Sequence, residues 1–213
     1  MVVQVKNLTK KIKENVVLDN ISVKMESGYI YGISGINGSG KTMFMRALCG
    51  LILPTEGEIV LNDKYMGKDL SFPESVGLLL ENPAFLSSYT GFKNLKILAS
   101  IKGVTSDEQI RKTLEDVGLD PEDKRKYKKY SLGMKQRLGI ACAILENPDL
   151  IILDEPFNAL DEEGCKLVES LLLRLKKQGK LILLSCHDKE QLYRLSDHIF
   201  EMRAGKLSVG ETV

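Results

Sequence analysis

A glycine-rich loop lies between an apolar run and a stretch of helical composition. The apolar run is residues 29–34, the loop at residues 35–42 reads GINGSGKT, and residues 43–49 have helical composition. The loop fits the pattern G-x-x-x-x-G-K-[ST], which requires a strand before it and a helix after it. Its glycines let the backbone turn N–H groups inward, at the positive end of the following helix. The sequence therefore predicts a phosphate-binding loop.

The side chains of this loop predict which phosphate ligand it holds. Lys41 is placed to set a positive charge on the β- and γ-phosphates, in binding and in catalysis. Thr42 offers a hydroxyl to Mg²⁺, which prefers oxygen ligands. The predicted ligand is a nucleoside triphosphate with Mg²⁺. The predicted nucleotide-binding residues of the loop are Asn37, Gly38, Ser39, Gly40, Lys41, Thr42 and Met43.

Two adjacent carboxylates end a second apolar strand, which reads DLIILDEP at residues 149–156. Asp154 is predicted to hold Mg²⁺ through water, and Glu155 to take a proton from the attacking water. Acidic residues also commonly end a buried strand simply to begin a loop. The phosphate loop elsewhere in the chain favours the catalytic interpretation, and with it hydrolysis rather than binding alone.

Length, composition and charge limit the class of protein. The 213 residues, 43% of them hydrophobic, fit one globular domain and exclude a disordered or fibrous chain. With 30 basic and 29 acidic residues the formal charge is +1, so no whole-molecule field attracts nucleic acid or acidic membranes. The apolar stretches are far short of the roughly 20 residues that span a bilayer. Residues 1–10 lack the apolar run of a signal peptide, so we expect a cytoplasmic protein.

The cysteines and aromatic residues exclude further classes of site. Cys49, Cys142, Cys165 and Cys186 lie far apart, without a C-x-x-C pair or a histidine at metal-ligand spacing. We interpret them as reduced, buried thiols, which sets zinc sites and disulfides aside. Tryptophan is absent and the aromatic fraction is 6%, which is thin for a protein that reads bases by stacking.

Apolar patterning predicts an antiparallel sheet, a parallel sheet and a helical insert. Residues 1–28 alternate in short polar and apolar steps, as antiparallel strands do. Leu150–Leu153 and residues 181–184 are apolar without alternation, as in parallel strands covered on both faces. Asp161 is predicted to cap the helix between them. In the insert, helices are predicted at residues 92–101, 106–117 and 131–145, the second with a Ser106/Gln109 capping box and the third capped by Ser131.

The insert also contains a basic run. A solvated face is the ordinary explanation of such a run, and lipid headgroups or an acidic partner surface are the alternatives. Its residues are Lys124, Arg125, Lys126, Lys128 and Lys129.

Four segments together resemble the ATP-binding subunit of ABC transporters. They are the phosphate loop, YSLGMKQRLGIACA at residues 130–143, DEPFNALD at residues 154–161, and His187. The resemblance covers nearly the whole chain. It implies an α/β fold, a P-loop NTPase with a mixed, mainly parallel core sheet, an N-terminal antiparallel β subdomain and an inserted α-helical subdomain. The expected single domain, 1–213, divides into a nucleotide-binding core, 1–81 and 141–213, and a helical subdomain, 82–140.

The resemblance also implies how two copies share the nucleotide. In that family a signature of the form LSGGQ opens a helix that reaches the γ-phosphate held by the opposite subunit. Ser131 and Gly133 match this signature, so the resemblance implies a homodimer on ATP binding. Residues 158–161 would contact the partner's site, and His187 would be the switch histidine that touches the γ-phosphate.

The chain departs from the family pattern at three places. Ile12 stands where an aromatic residue commonly stacks on adenine, so base contact is expected to be weaker. Glu81 replaces the usual glutamine beside Mg²⁺ and the attacking water, where an ionised carboxylate accepts hydrogen bonds but cannot donate them. Leu132 and Met134 replace a glycine and the glutamine of the signature. With these departures, the chain resembles the subgroup of the family that exports peptide antibiotics such as bacitracin and lantibiotics.

The resemblance implies an ATPase motor that closes on two Mg-ATP molecules and drives separate transmembrane permease subunits. The expected permease contact is residues 82–89, and membrane contact is expected only through that partner, on the inner face of the cell membrane. One alternative is a cytosolic ABC ATPase that acts on nucleic acid or ribosomes, but 213 residues hold neither a long coiled-coil insertion nor a second ATPase domain. Another is a weakly hydrolysing regulatory subunit, against which Glu155 and His187 argue. Turnover, and its dependence on DNA or ribosomes, would separate these alternatives.

Overall fold

The computed structural model describes residues 1–81 and 83–210. In them, strands form two sheets and α-helices pack around the sheets. The strands are β1 (Val2–Ile12), β2 (Asn15–Glu26), β3 (Ile30–Ser34), β4 (Glu56–Leu61), β5 (Lys64–Tyr65), β6 (Val76–Leu79), β7 (Leu150–Leu153), β8 (Leu181–Ser185), β9 (His198–Arg203) and β10 (Lys206–Val209). The helices are α1 (Lys41–Leu48), α2 (Gly91–Lys102), α3 (Asp107–Asp116), α4 (Leu132–Ile144), α5 (Glu162–Lys177) and α6 (Lys189–Leu195).

The first sheet is antiparallel and has the strand order β2-β1-β4-β5. β1 pairs with β2 on one side and with β4 on the other. Val3 and Val5 are buried while the residues between and beside them are exposed, as expected for a sheet with one covered face. The predicted antiparallel sheet is confirmed, and β4 and β5 extend it.

The second sheet is central and has the order β10-β9-β3-β8-β7-β6. Its strands are parallel except for β10, which runs antiparallel at one edge. In parallel sheets, ligands bind beyond the carboxyl ends of the strands, which lie at one edge. The loops after β3, β6, β7 and β8 therefore bring the phosphate loop, Glu81, the Asp154–Glu155 pair and His187 to the same edge. The predicted P-loop NTPase fold is confirmed.

Alternation along the buried strands divides the interior into two hydrophobic cores. Ile151 and Leu153 of β7 pack with the helices that follow β6. Leu150 and Ile152 of the same strand pack with α1 and the antiparallel sheet. β7 therefore presents apolar side chains to both faces of the sheet, which explains why it reads as a continuous apolar run.

The predicted helices are present with their predicted caps. Ser106 and Gln109 form the capping box of α3, Ser131 caps α4, and Asp161 caps α5. α4 continues to Ile144 and packs in the same core as β7. The division of the core and helical subdomains at residues 82 and 140 therefore stays a prediction, and residue 82 itself lies outside the described residues.

Two further expectations concern thiols and membranes. All four cysteines are free, but Cys142 and Cys165 are only partly buried. Burial raises the pKa of the Cys49 thiol to about 12 and that of Cys186 to about 11, which disfavours the reactive thiolate. Within the described residues, no helix has both the length and the apolar character to cross a bilayer.

Gly77 of β6 provides a test of how tightly α4 packs on the central sheet. A Cβ at this position would overlap the carbonyl oxygen of Ala143. We expect Gly77→Ala to lower the free energy of unfolding in urea by about 3 kcal/mol, because a backbone atom cannot move aside as a side chain can. Gly103→Ala is the control, since the space there is open and only the positive φ strains alanine, by about 1 kcal/mol. Equal losses at both positions would contradict the predicted clash.

Candidate active site

The phosphate loop wraps around the side chain of Lys41. Gly40 precedes α1 with φ 115°, and a Cβ at Gly35 would overlap the carbonyl oxygen of Met202, so both glycines fit where other residues do not. The Lys41 ammonium is buried and donates hydrogen bonds to the carbonyl oxygens of Gly35 (2.7 Å) and Ile36 (3.3 Å). The Ser39 hydroxyl is buried and has no hydrogen-bond partner among the described residues. A cation and an orphaned hydroxyl thus lie within a cradle suited to an anion.

Asp154 is held between two hydroxyl groups on other elements. Thr42 Oγ1, at the start of α1, donates to Asp154 Oδ2 at 2.5 Å. Ser185 Oγ, at the end of β8, donates to Asp154 Oδ1 at 2.6 Å. Asp154 is buried, so these two contacts fix the orientation of its carboxylate. Ser185 was not predicted from the sequence, where it is only the residue that follows the apolar run 181–184.

Glu155 has an unusual backbone and a partly unpartnered side chain. Its φ is 53°, and its backbone is held by the Gln136 amide, which donates to the Glu155 carbonyl oxygen at 2.9 Å, and by Ser185 Oγ, which accepts the Glu155 N–H at 2.9 Å. Oε2 accepts the backbone N–H of His187 at 3.1 Å. Oε1 lies 3.3 Å from His187 Nε2 but is buried without a hydrogen bond among the described residues. One oxygen of this carboxylate is therefore free to accept a proton.

Burial raises the pKa of Glu155 above its ordinary value. Interactions with His187 and Lys41 act in the opposite direction, and the negative charge of Asp154 adds to the effect of burial. A carboxyl group with a raised pKa is a stronger base once it is ionised, which suits proton abstraction.

A cavity of about 580 Å³ brings most of the predicted site residues together. The phosphate loop forms one wall, and the ends of β6, β7 and β8 supply the acidic and histidine side chains opposite it. The predicted site residues that line it are Asn37, Gly38, Ser39, Gly40, Lys41, Thr42, Met43, Glu81, Asp154, Glu155 and His187. Gln136 and Asn158 also line the cavity. Gln136 was not predicted as a site residue, and Asn158 was expected to contact the partner's site instead. Asn158 stands four residues after Asp154 in the DEPFNALD segment.

Ile12, the expected adenine contact, does not line this cavity. It is the last residue of β1 and pairs with Asn15 across the hairpin, with 45% of its side chain exposed. Val16 and Val17, on the returning strand, supply the apolar wall instead. Sequence position alone cannot reveal this difference, because the hairpin register decides which side chains reach the phosphate loop.

Glu81 lines the cavity but is engaged with a cation. Arg46, in the last turn of α1, donates to Glu81 Oε1 at 2.5 Å. The Glu81 side chain is 63% exposed, so water screens the pair. Arg46 was not predicted to bear on the site, and it partly neutralises the charge that Glu81 adds there.

Ser131 and Gly133 lie outside the main cavity. They line a separate hollow of about 370 Å³ together with Ala159 and Asp161. Ser131 Oγ accepts the Met134 N–H at 3.2 Å, and a Cβ at Gly133 would lie 2.8 Å from the carbonyl oxygen of Ala159. The head of α4 therefore packs directly on the loop that follows the acid pair.

The donor set of the main cavity fits Mg²⁺ bound together with phosphate. Thr42 and Asp154 offer oxygen atoms, which Mg²⁺ prefers, while nucleotide phosphates usually complete such sites. The described residues contain no cluster of three or more histidine, cysteine or acidic side chains that could hold a metal alone.

Comparisons with known proteins agree with this geometry. A model of the ABC transporter family matches residues 18–158. The uncharacterized ABC transporter ATP-binding protein YybJ of Bacillus subtilis (strain 168) is 52% identical over 211 residues, which are 99% of this chain and 97% of that protein. The bacitracin transport ATP-binding protein BcrA of Enterococcus faecalis is 40% identical, over 97% of this chain and 68% of its own. The lantibiotic transport ATP-binding protein SrtF of Streptococcus pyogenes is 34% identical, over 96% and 88%.

Solved structures give the same result. The ATP-binding subunit of an ABC transporter superposes with a TM-score of 0.89 at 26% identity, over 100% of this chain and 90% of that one. A bacterial ABC transporter cassette, solved as a dimer, superposes with a TM-score of 0.87 at 26% identity, over 99% and 98%. The resemblance inferred from the motifs is confirmed. This chain belongs to the ABC transporter family, as one of its ATP-binding domains and hence as an ATPase.

Proposed function

We propose that this chain hydrolyses Mg-ATP in the main cavity, with Glu155 as the general base. The observation that supports this role is the buried Oε1 of Glu155, which has no hydrogen-bond partner among the described residues and belongs to the same cavity as the phosphate loop. An acceptor in that position can take the proton of a water molecule that attacks the terminal phosphorus. The raised pKa of Glu155 strengthens the carboxylate as a base.

The remaining residues bind the nucleotide and hold the base in place. Lys41 and the N–H groups of the phosphate loop bind the phosphates, and Thr42 and Asp154 hold Mg²⁺. When bound, Mg²⁺ neutralises charge on the β- and γ-phosphates. The backbone N–H of His187 orients Glu155, and its half-exposed imidazole is free to contact the γ-phosphate. Glu81 is the additional acidic group of the metal site.

Two copies of the chain complete each nucleotide site in this proposal. Ser131 and Gly133 line a hollow separate from the phosphate loop of their own subunit, so they are available to the nucleotide of a partner. The head of α4 presents the Ser131 hydroxyl and helix N–H groups, which bind anions. The related cassette that was solved as a dimer supports this arrangement.

The proposed task of the dimer is to drive a transmembrane permease that moves a peptide antibiotic. The relatives named for bacitracin and lantibiotic transport support this class of substrate, and outward transport follows the same resemblance. The proposed permease contact is residues 82–89, of which Asn82 lies outside the described residues. Leu86 in this segment is half exposed and available to a partner. The protein would then work on the cytoplasmic face of the membrane.

Glu155→Gln tests the base. The amide keeps the size of the side chain but cannot take a proton, so we expect ATP turnover to fall on the order of 10²- to 10⁴-fold while nucleotide binding is retained. Turnover and binding of a fluorescent ATP analogue measure the two effects. Glu115→Gln, on the exposed face of α3, is the matched control and should keep full activity. Unchanged turnover in Glu155→Gln would exclude the proposed role.

The same substitution, measured without nucleotide, tests the cause of the raised pKa of Glu155. Because burial raises the pKa of Glu155, its ionisation costs the folded state free energy as pH rises through that raised pKa. Without nucleotide, Glu155→Gln should therefore melt at a higher temperature than the wild type at neutral pH. The difference should shrink in acid, where both side chains are neutral. Thermal unfolding across pH measures it, and a lower melting temperature of the variant at neutral pH would contradict the cause given.

Arg46 and Glu81 should change the Mg²⁺ requirement in opposite directions. Arg46→Gln removes a positive charge beside the proposed metal site, so half-maximal ATPase activity should need less Mg²⁺, by up to about fivefold for a screened interaction near 1 kcal/mol. Glu81→Gln should need more. Arg111→Gln, which breaks the exposed pair with Glu122, is the control. Shifts in the same direction for both variants would show that the pair acts only through stability.

A further inference from the structure

Four lysines in the basic run form a positive surface. Lys124, Lys126, Lys128 and Lys129 are all exposed, in a protein whose formal charge is only +1. We call these four residues the lysine patch. Arg125 does not belong to it, because its guanidinium binds the neighbouring Asp123 carboxylate at 2.8 Å. Across residues 1–81 and 83–210, the four lysines take part in no salt bridge.

Hydrogen bonds anchor the backbone that carries the lysine patch. Tyr127, in the middle of the run, is buried in the helical core and forms a single 3-10 turn with its neighbours. Its N–H donates to the carbonyl oxygen of Tyr89 at 2.8 Å, and its hydroxyl donates to that of Pro83 at 2.6 Å. The Lys128 N–H donates to the carbonyl oxygen of Ser87 at 3.2 Å. The patch is therefore fixed beside residues 83–89.

Further cations and an apolar side chain border the patch. The ammonium group of Lys93 lies 4.4 Å from the ring centre of Tyr89, and that of Lys135 lies 5.4 Å from that of Tyr127. Leu86, on the segment to which the patch is tied, is 51% exposed. Lysine side chains can cover apolar surface with their stems while their ammonium groups reach lipid headgroups.

The acidic residues nearby do not cancel this charge fully. Asp123 binds Arg125, and Glu122 binds Arg111 on α3. Asp120 accepts the backbone N–H of Glu122 and stands before the run rather than within it. No acidic residue occurs from 124 to 129.

Charge complementarity distinguishes between a permease and a lipid surface as the partner of the patch. The short cytoplasmic loops of membrane proteins carry an excess of lysine and arginine, so the loops of a permease would repel the patch. The cytoplasmic leaflet of a membrane carries anionic lipids, which attract basic segments within a Debye length. Anionic lipid therefore fits the patch better than permease protein.

We propose that the lysine patch binds the headgroups of anionic lipids next to the docked permease. Contact with the membrane is then direct as well as through a partner. Only the position next to the permease rests on the proposed function, since binding to lipid needs neither ATP nor a second protein.

Vesicle binding of the purified chain tests the proposal without a permease. The probes are vesicles of phosphatidylcholine alone and of phosphatidylcholine mixed with phosphatidylglycerol, sedimented at low and at high salt. The patch variant changes Lys124, Lys126, Lys128 and Lys129 to Gln. The matched control changes Lys6, Lys11, Lys24 and Lys64 to Gln; these lie on the antiparallel sheet, and each is paired with a glutamate. Both variants lose four positive charges, so their net charges match and they differ in where the lysines lie and whether these are paired.

The wild type and the control variant should bind the vesicles that contain phosphatidylglycerol and should be released by high salt. The patch variant should bind them at least about tenfold more weakly, since each lysine near an anionic surface contributes. Its ATPase activity without membranes should stay at the wild-type level, which separates this proposal from the hydrolytic one. Equal binding of both variants, equal binding to neutral vesicles, or no binding of the wild type would overturn the proposal. Loss of permease co-purification in the patch variant, with no vesicle binding by the wild type, would assign the patch to a protein partner instead.

Discussion

The buried carboxylate of Asp154 is the point on which the geometry of the site depends. Asp154 stands at the end of β7. It accepts one hydrogen bond from the Thr42 hydroxyl in the first turn of α1 and one from the Ser185 hydroxyl at the end of β8. Hydrogen bonds to a charged group contribute about 1.5–3 kcal/mol each, so these contacts help hold α1 against the ends of β7 and β8. Because Ser185 also accepts the N–H of Glu155, the same contacts set the distance between the acid pair and the phosphate loop.

Glu155 occupies a strained position that the surrounding residues enforce. A left-handed backbone at a non-glycine residue costs about 1–3 kcal/mol, and Glu155 has φ 53°. The Gln136 amide and the Ser185 hydroxyl hold this backbone, and burial adds the cost of an ionised carboxylate. The fold can bear both costs because two hydrophobic cores cover the two faces of the sheet from which Glu155 extends. Stability gained in the cores thus supports a site that is not optimised for stability.

Much of the fold was predictable from the sequence, because its signals are local. The phosphate loop needs glycine at particular turns, the buried strands need unbroken apolar runs, and the caps of α3, α4 and α5 stand directly before their helices. What was missed depends on contacts between distant residues. The pairs Arg46–Glu81 and Gln136–Glu155 form only when the chain has folded. The adenine contact of Ile12 stays a prediction, and the register of the hairpin places Val16, not Ile12, in the lining of the cavity.

The close packing of Gly133 on the carbonyl oxygen of Ala159 couples two surfaces within one chain. Ala159 lies four residues after Glu155. Gly133 belongs to the head of α4, which would contact the triphosphate bound by a neighbouring copy. With no space for a side chain between them, neither can shift alone. If two copies assemble head to tail, a shift of the loop after Glu155 in one subunit would move the helix head that contacts the nucleotide of the other. Hydrolysis at one site would then depend on nucleotide binding at the other.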